Sequence, residues 1–215
     1  MENCAEIKNI IFDLCGPIIT IDLAMLNGKL REYGVGEEDP YRHLVRCGLT
    51  DQFEQRQITP REFCERVREE LCCNLSDEQI FDSWNTLISR FPKSNCELLR
   101  KVHKNYRTYV LSNSDEVNAE YFSDYLREHG DMGFPEGAID RIYYSCELGV
   151  RKPSPEAFIR LIEREGIRAE ETLHIDDTRR HCEGAREAGL KSIYLDKGHE
   201  LRELFDSEGW LKKLD

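Results

Sequence analysis

"TLHIDDTRRHCEGAREAGLKSIYL", residues 172–195, holds one full period of the pattern that sets the fold. "TLHID" and "KSIYL" are short runs rich in Ile, Leu and Tyr between polar residues, and they read as buried strands. "TRRHCEGAREAG" between them reads as a helix. Three further strands appear upstream: "KNIIFDL" (8–14), "RTYVLSN" (107–113) and "DRIYYS" (140–145). From the second strand onward each is followed by a helical segment, namely "EVNAEYFSDYLREHG" (116–130), "SPEAFIRLIEREG" (154–166), the helix above and "HELRELFDSEGWLKK" (199–213). Ser154 is the expected N-cap of the second of these, with Pro155 at its first position and Gly166 as its stop. The alternation predicts an α/β fold with a Rossmann-like parallel sheet covered on both faces.

Residues 15–106 carry no strand signal and read as helical throughout. "ITPREFCERVREEL" opens with a capping box, Thr59 and Glu62 around Pro60, and "SDEQIFDSWNTLIS" opens with another, Ser76 to Gln79. A structureless loop of that length has no place in a compact domain. The expected organisation is an α/β core of residues 1–19 and 89–215, interrupted by an all-helical domain over 20–88. "SNCELLRKVHKN" (94–105) is the helix that rejoins the core.

The 215 residues are 40% hydrophobic, enough for one core with a smaller inserted one. A net charge of −12, spread along the chain, repels polyphosphate backbones and argues against a nucleic-acid partner. The longest apolar runs are a few residues, so no membrane partner is expected. "MENCAEIKN" lacks the basic and apolar regions of a secretory signal, and a cytoplasmic location is expected. Nine cysteines, an odd number with no C-x-x-C pair, point to free thiols rather than disulfides or zinc. None has Arg six residues downstream, which excludes a tyrosine-phosphatase-type nucleophile.

Ligands of open parallel sheets bind at the carboxyl ends of the strands. There the sequence places Asp13 after the first strand, Ser112 and Asn113 after the second, Lys152 in "GVRKPSPEAF" after the third, and Asp176 and Asp177 after the fourth. Each alone has a plain reading as a turn, cap or solvated residue. Together they bring three carboxylates, a hydroxyl and an ammonium to one crevice. Crowded carboxylates repel unless a cation lies among them, and oxygen ligands suit Mg²⁺. The hydroxyl and the ammonium can hold a phosphoryl group against that metal.

The ordered motifs "FDLxG", "LSNS", "RKPSPEAF" and "HIDDTRRHCEGAREAGL" resemble the haloacid dehalogenase superfamily of hydrolases. The match covers nearly the whole sheet domain, and the insertion resembles that superfamily's helical cap. The wording is nearest to the sugar-phosphate-phosphatase-like branch. The resemblance implies a Mg²⁺-dependent phosphatase that hydrolyses a small phosphorylated metabolite, a sugar phosphate among the options. Asp13 would be the nucleophile that forms an aspartyl-phosphate. Ser112 and the backbone N–H of Asn113 would bind phosphoryl oxygens, and Lys152 would neutralise charge on Asp13 and the phosphate. Asp13, the carbonyl of Cys15 and Asp177 would hold the metal, with Asp176 as a ligand or a partner behind it. A monomer and a homodimer both fit.

Two positions depart from the pattern. Cys15 stands where most phosphatases of the superfamily carry the Asp that protonates the leaving oxygen, and a thiol with a pKa of about 8.5 is a poor substitute. Losing a positioned acid costs about 10²–10⁴ in rate, so substrates with good leaving groups are expected to be favoured. His181 stands where Asn is usual and reads as a packing residue or a weak substitute acid; Pro17 reads as fixing the turn. Two other readings stay open: a non-catalytic phosphate and Mg²⁺ binder, and a 2-haloacid dehalogenase, which needs no metal. In the insertion, Arg42 and Arg46 beside His43 could face a charged substrate or form a solvated helix face.

Overall fold

Four consecutive buried residues, Asn9–Phe12, form β1, the central strand in the computed structural model, which describes residues 6–90, 92–128 and 135–213. Its neighbours are β4 (Arg107–Ser112) and β6 (Thr172–Asp176), with β5 (Arg141–Tyr144) and β7 (Lys191–Tyr194) at the edges. All four pairings are parallel. The pleat divides the core by alternate residues. Ile10 and Phe12 join Val110 and Ile175 under α6 (Lys93–His103) and α7 (Glu116–Glu128). Ile11 joins Tyr109 and Tyr143 under α9 (Pro155–Glu165) and α10 (Arg179–Glu187). A strand buried on both sides needs apolar residues in succession, which is why "NIIF" shows no polar alternation.

Between β1 and α6 the chain forms α1 (Leu23–Glu32), α2 (Pro40–Arg46), α3 (Leu49–Glu54), α4 (Pro60–Glu70) and α5 (Asp77–Asn85). Both expected capping boxes form, Thr59 with Glu62 and Ser76 with Gln79, each contributing about 1 kcal/mol. These helices enclose a core of their own around Leu26, Leu44 and Phe53. Phe53 stacks on Phe63 at 4.1 Å, and Phe63 meets Trp84 edge-on at 5.0 Å. Aromatic pairs of this kind contribute about 0.5–1.5 kcal/mol beyond the area they bury.

Two expectations need correction. The stretch between the first two long strands is not wholly helical: β2 (Thr20–Ile21) and β3 (Ile88–Arg90) pair antiparallel where the chain leaves and re-enters the α/β part. Strands of two and three residues are too short to leave a periodic signal. The helix expected over 76–89 ends at Asn85 accordingly. The helix expected over 199–213 reduces to one 3₁₀ turn, Leu201–Leu204. Asp206 stops it, because its side chain accepts from the N–H groups of Glu208 and Trp210, both at 2.9 Å, and turns the chain back so that Phe205 bridges Leu211. Residues 129 and 130 of the helix expected over 116–130 lie outside the described residues. The cysteines among the described residues are all free thiols, and none of the described helices is long and apolar enough to cross a membrane.

Candidate active site

β1, β4 and β6 are adjacent in the sheet, so their carboxyl ends deliver Asp13, Ser112 and Asp176 to one place. The loop between α8 (Ser145–Leu148) and α9 brings Lys152 under them. Lys152 is fully buried, with Nζ 2.8 Å from Asp13 Oδ1 and 2.7 Å from Asp176 Oδ2. Asn113 fixes this loop through its side chain: Nδ2 donates to the Lys152 carbonyl and the Lys152 N–H donates to Oδ1, both at 2.9 Å. Strand-end position alone implies a backbone role for Asn113; the amide pair that aims the lysine is visible only in three dimensions. Gly184 on α10 sits so close to this loop that a Cβ there would stand 1.8 Å from the Pro153 carbonyl oxygen.

Burial pushes the Asp13 carboxyl up to about 7, opposed by Lys152 and reinforced by Asp176 and Asp177. Burial also works against the Asp176 charge, but Lys152 and the two neighbouring histidines outweigh it and hold that carboxyl well below the usual range. The ammonium is likewise opposed by burial and held up by its two carboxylates. Asp176 is an acceptor only. It takes the Thr178 N–H at 2.8 Å on Oδ1, Lys152 on Oδ2, and His181 Nδ1 at 3.1 Å. His181, held neutral by burial, donates that bond and orients Asp176. His174 packs beneath, edge-on to Phe158 at 4.8 Å, with burial pushing it down to about 4.

Asp177 has a different setting. Its carboxylate lies over Gly16, whose φ of +102° and lack of a side chain admit it; a Cβ there would come within 2.2 Å of Oδ2. The loop of Cys15 and Gly16 therefore faces Asp177 across a short gap. Burial and Asp176 together raise the Asp177 carboxyl. Burial, then the charge of Asp13, drives the Cys15 thiol far up, so it stays a thiol. Ser112 is buried, and its Oγ has no hydrogen-bond partner. A buried hydroxyl without a partner is a donor suited to an anionic oxygen.

The acids fit a hard cation. Side-chain ligand atoms of Asp13, Asp176 and His181 lie within 4.8 Å of one another. The Asp176 oxygens are already taken by Lys152, Thr178 and His181, and Lys152 and Leu14 engage Asp13 Oδ1, which leaves Asp13 Oδ2, Asp177 Oδ2 and the carbonyl of the Cys15 loop as the oxygens free to face a cation. That donor chemistry suits Mg²⁺.

Above these groups is a cavity of about 280 Å³, closed from the insertion by Tyr41, Glu54 and Trp84. The sequence did not point to any of the three. Arg151 joins the two parts, paired with Asp51 and with Glu54, whose Oε2 is 2.9 Å from Nε. Trp84 Nε1 donates to Asp115 Oδ2 at 2.8 Å, and Ser145 Oγ donates to the Glu54 carbonyl at 2.7 Å. Arg42 and Arg46 are exposed and do not line the cavity, while His43 sits between Glu37 and Glu70 at 3.5 and 3.2 Å. Those three residues form a solvated helix face.

Comparison with known proteins gives the family and its fold. Residues 7–189 match the family described as haloacid dehalogenase-like hydrolase. A D-ribitol-5-phosphate phosphatase of Bacteroides thetaiotaomicron is 24% identical over 199 residues, 92% of this chain and 96% of the relative. A crystal structure of a HAD family enzyme from the same organism, in complex with magnesium and inorganic phosphate, superposes with a TM-score of 0.80 at 30% identity, covering 93% of this chain and all of that one. A 2-haloacid dehalogenase from Pseudomonas syringae shares the fold, with a TM-score of 0.60 at 20% identity over 87% of this chain and 86% of its own.

Proposed function

The chain belongs to the haloacid dehalogenase-like hydrolases, and from that premise we propose how its site works as a magnesium-dependent phosphatase of small phosphorylated metabolites. The observation that carries the reading is Lys152, fully buried and bridging Asp13 and Asp176 beside the unpartnered Ser112 hydroxyl. Asp13 Oδ1 is engaged by Lys152 and by the Leu14 N–H at 2.7 Å, which orients the carboxylate. Its other oxygen attacks phosphorus and forms the aspartyl-phosphate. Ser112 Oγ and the Asn113 N–H receive phosphoryl oxygens, and Lys152 offsets the charge that gathers between Asp13 and the phosphate. Asp13, Asp177 and the Cys15 carbonyl would hold Mg²⁺, with Asp176 behind them as the anchor of Lys152. The bound metal supplies charge neutralisation at the phosphoryl group.

Residues 20–88 act as a cap over an α/β core of 1–19 and 89–215, and the substrate's organic part lies between them. A neutral, polyhydroxylated leaving group fits that space, because it is walled by Tyr41, Asn118 and Asp115, and Asn118 Oδ1 is buried without a partner. The D-ribitol-5-phosphate phosphatase relative acts on a molecule of that kind.

The test is phosphate release from a panel of sugar and polyol phosphates with and without Mg²⁺, beside Asp13→Asn. Magnesium-dependent release is expected, and none from the variant. Hydrolysis that persists in Asp13→Asn would remove Asp13 from its role. Binding of Mg²⁺ and phosphate with no turnover on any ester would favour the non-catalytic alternative that Cys15 keeps open.

A further inference from the structure

We propose that Glu54, at the end of α3 in the inserted helices, protonates the leaving oxygen and then activates water, replacing the acid absent at Cys15. The inference rests on the phosphatase reading above. Four acids line the cavity: Asp13, Glu54, Asp115 and Asp177. Asp13 is the nucleophile, and Asp177 lies over Gly16 on the metal side. Asp115 is fully committed, with Oδ1 accepting from the N–H groups of Val117 and Asn118 at 3.0 and 2.9 Å and Oδ2 from Trp84 Nε1 and Asn118 Nδ2 at 2.8 and 3.2 Å. Glu54 differs: its Oε2 is buried and accepts no hydrogen bond. Arg151 Nε is 2.9 Å away, but its N–H is not aimed at that oxygen, and the guanidinium also pairs with Asp51. The Glu54 backbone is held by Ser145, so the carboxyl is presented from a fixed point.

The surroundings suit a proton carrier. The charged and titratable groups around Glu54 are Asp51 on its own helix, Arg151 and Lys152 before α9, Asp115 before α7, Asp13 and Cys15 after β1, and Tyr41 on α2. Burial, then Asp115, pushes the Glu54 carboxyl up to about 8, with Lys152 opposing. At neutral pH it therefore holds a proton to give.

In the first step a bond forms between Asp13 and phosphorus while the bond from phosphorus to the leaving oxygen breaks. That oxygen keeps the electron pair and takes the Glu54 proton. In the second step the Glu54 carboxylate takes a proton from water as the water oxygen attacks phosphorus. The Asp13–phosphorus bond breaks, Asp13 regains its carboxylate, and inorganic phosphate leaves.

Glu54→Gln preserves shape and removes the proton, so leaving-group dependence tests the idea. kcat/KM, which reports the transfer to Asp13, should fall roughly 10²-fold or more for an alkyl ester such as a polyol phosphate and far less for p-nitrophenyl phosphate, whose leaving group needs no proton, while kcat should fall on both wherever the water step limits turnover. The wild-type alkyl rate should decline above about pH 8 as Glu54 ionises, and that limb should be absent in the variant. Adding Cys15→Asp to Glu54→Gln should restore the alkyl rate, and Glu54→Asp should retain part of it. Equal losses of kcat/KM on both esters, or an unchanged alkyl kcat/KM, would overturn the assignment, because a residue that only seats the cap does not sense the leaving group. A wild-type protein inactive on both esters would overturn the phosphatase reading and Glu54 with it, an outcome distinct from a variant that loses both equally.

Discussion

The two walls of the cavity treat their charges in opposite ways. On the sheet wall almost every charge is matched: Lys152 lies between two carboxylates, and Asp176 is also held by Thr178 and His181. The helical wall carries the rings of Tyr41 and Trp84 and a single acid, Glu54, which lies against Arg151 but accepts no hydrogen bond at Oε2. A matched array is preorganised and fixes the reacting geometry before substrate arrives. An unmatched one waits for groups that the substrate brings. On this contrast, changes to the sheet wall should act on kcat, and changes to the helical wall on KM, with Glu54 as the exception.

The most severe way to break the sheet wall is Lys152→Ala. It leaves Asp13 and Asp176 facing each other without the cation that reconciles them, and both are buried. Turnover should disappear, and stability should fall by about 3–5 kcal/mol, the usual cost of removing one partner of a buried ion pair. Chemical denaturation and phosphate release on the same preparation measure both. A variant that keeps normal stability would mean that Asp13 had simply taken up a proton, as its raised carboxyl allows, and the matched description of this wall would need revising.

A milder change reaches the same lysine from behind. In Gly184→Ala the new methyl would overlap the Pro153 carbonyl, a backbone atom that cannot rotate away, so the loop carrying Lys152 must move. Displacements on the order of 1 Å at catalytic groups cost about 10²-fold in rate. kcat should drop by that factor with KM little changed. If KM rises while kcat holds, the loop serves binding more than chemistry.

The same contrast explains what the sequence disclosed. The sheet-wall residues follow directly from short apolar runs that end in polar residues, because strand ends in an open parallel sheet have one side on which to converge. Asp13, Ser112 and Asp176 are therefore legible at strand ends and Lys152 in the loop that follows the third of the predicted strands, and Lys152 contacts both Asp13 and Asp176. Glu54 gave no such signal. It ends a helix of six residues, with nothing local to separate it from Glu62 or Glu65, and it reaches the cavity only through the packing of Phe53 on Phe63 and the Arg151 pair. Arg42 and Arg46 show the reverse case: a helical spacing open to a substrate contact or a solvated face belongs to the solvated face. The β2–β3 ribbon stayed hidden because pairing between segments so far apart is set by tertiary closure and not by local preference.

The smallest expected effect tests the helical wall alone. Trp84→Phe keeps an aromatic ring against Phe63 and Tyr41 but deletes the Nε1–H that Asp115 receives. Asp115 retains its bonds from Val117 and Asn118, so the loss is limited to roughly 1 kcal/mol. That bond ties α5, in the insertion, to the start of α7, in the α/β part, and its loss loosens the seat of the helical wall without touching Lys152 or Asp13. At about 1.4 kcal/mol per tenfold, KM should rise around fivefold while kcat stays near the wild-type value. A fall in kcat of the same size, on alkyl and aryl esters alike, would show that the two walls act as one unit and that their separation into fixed chemistry and adaptable recognition does not hold.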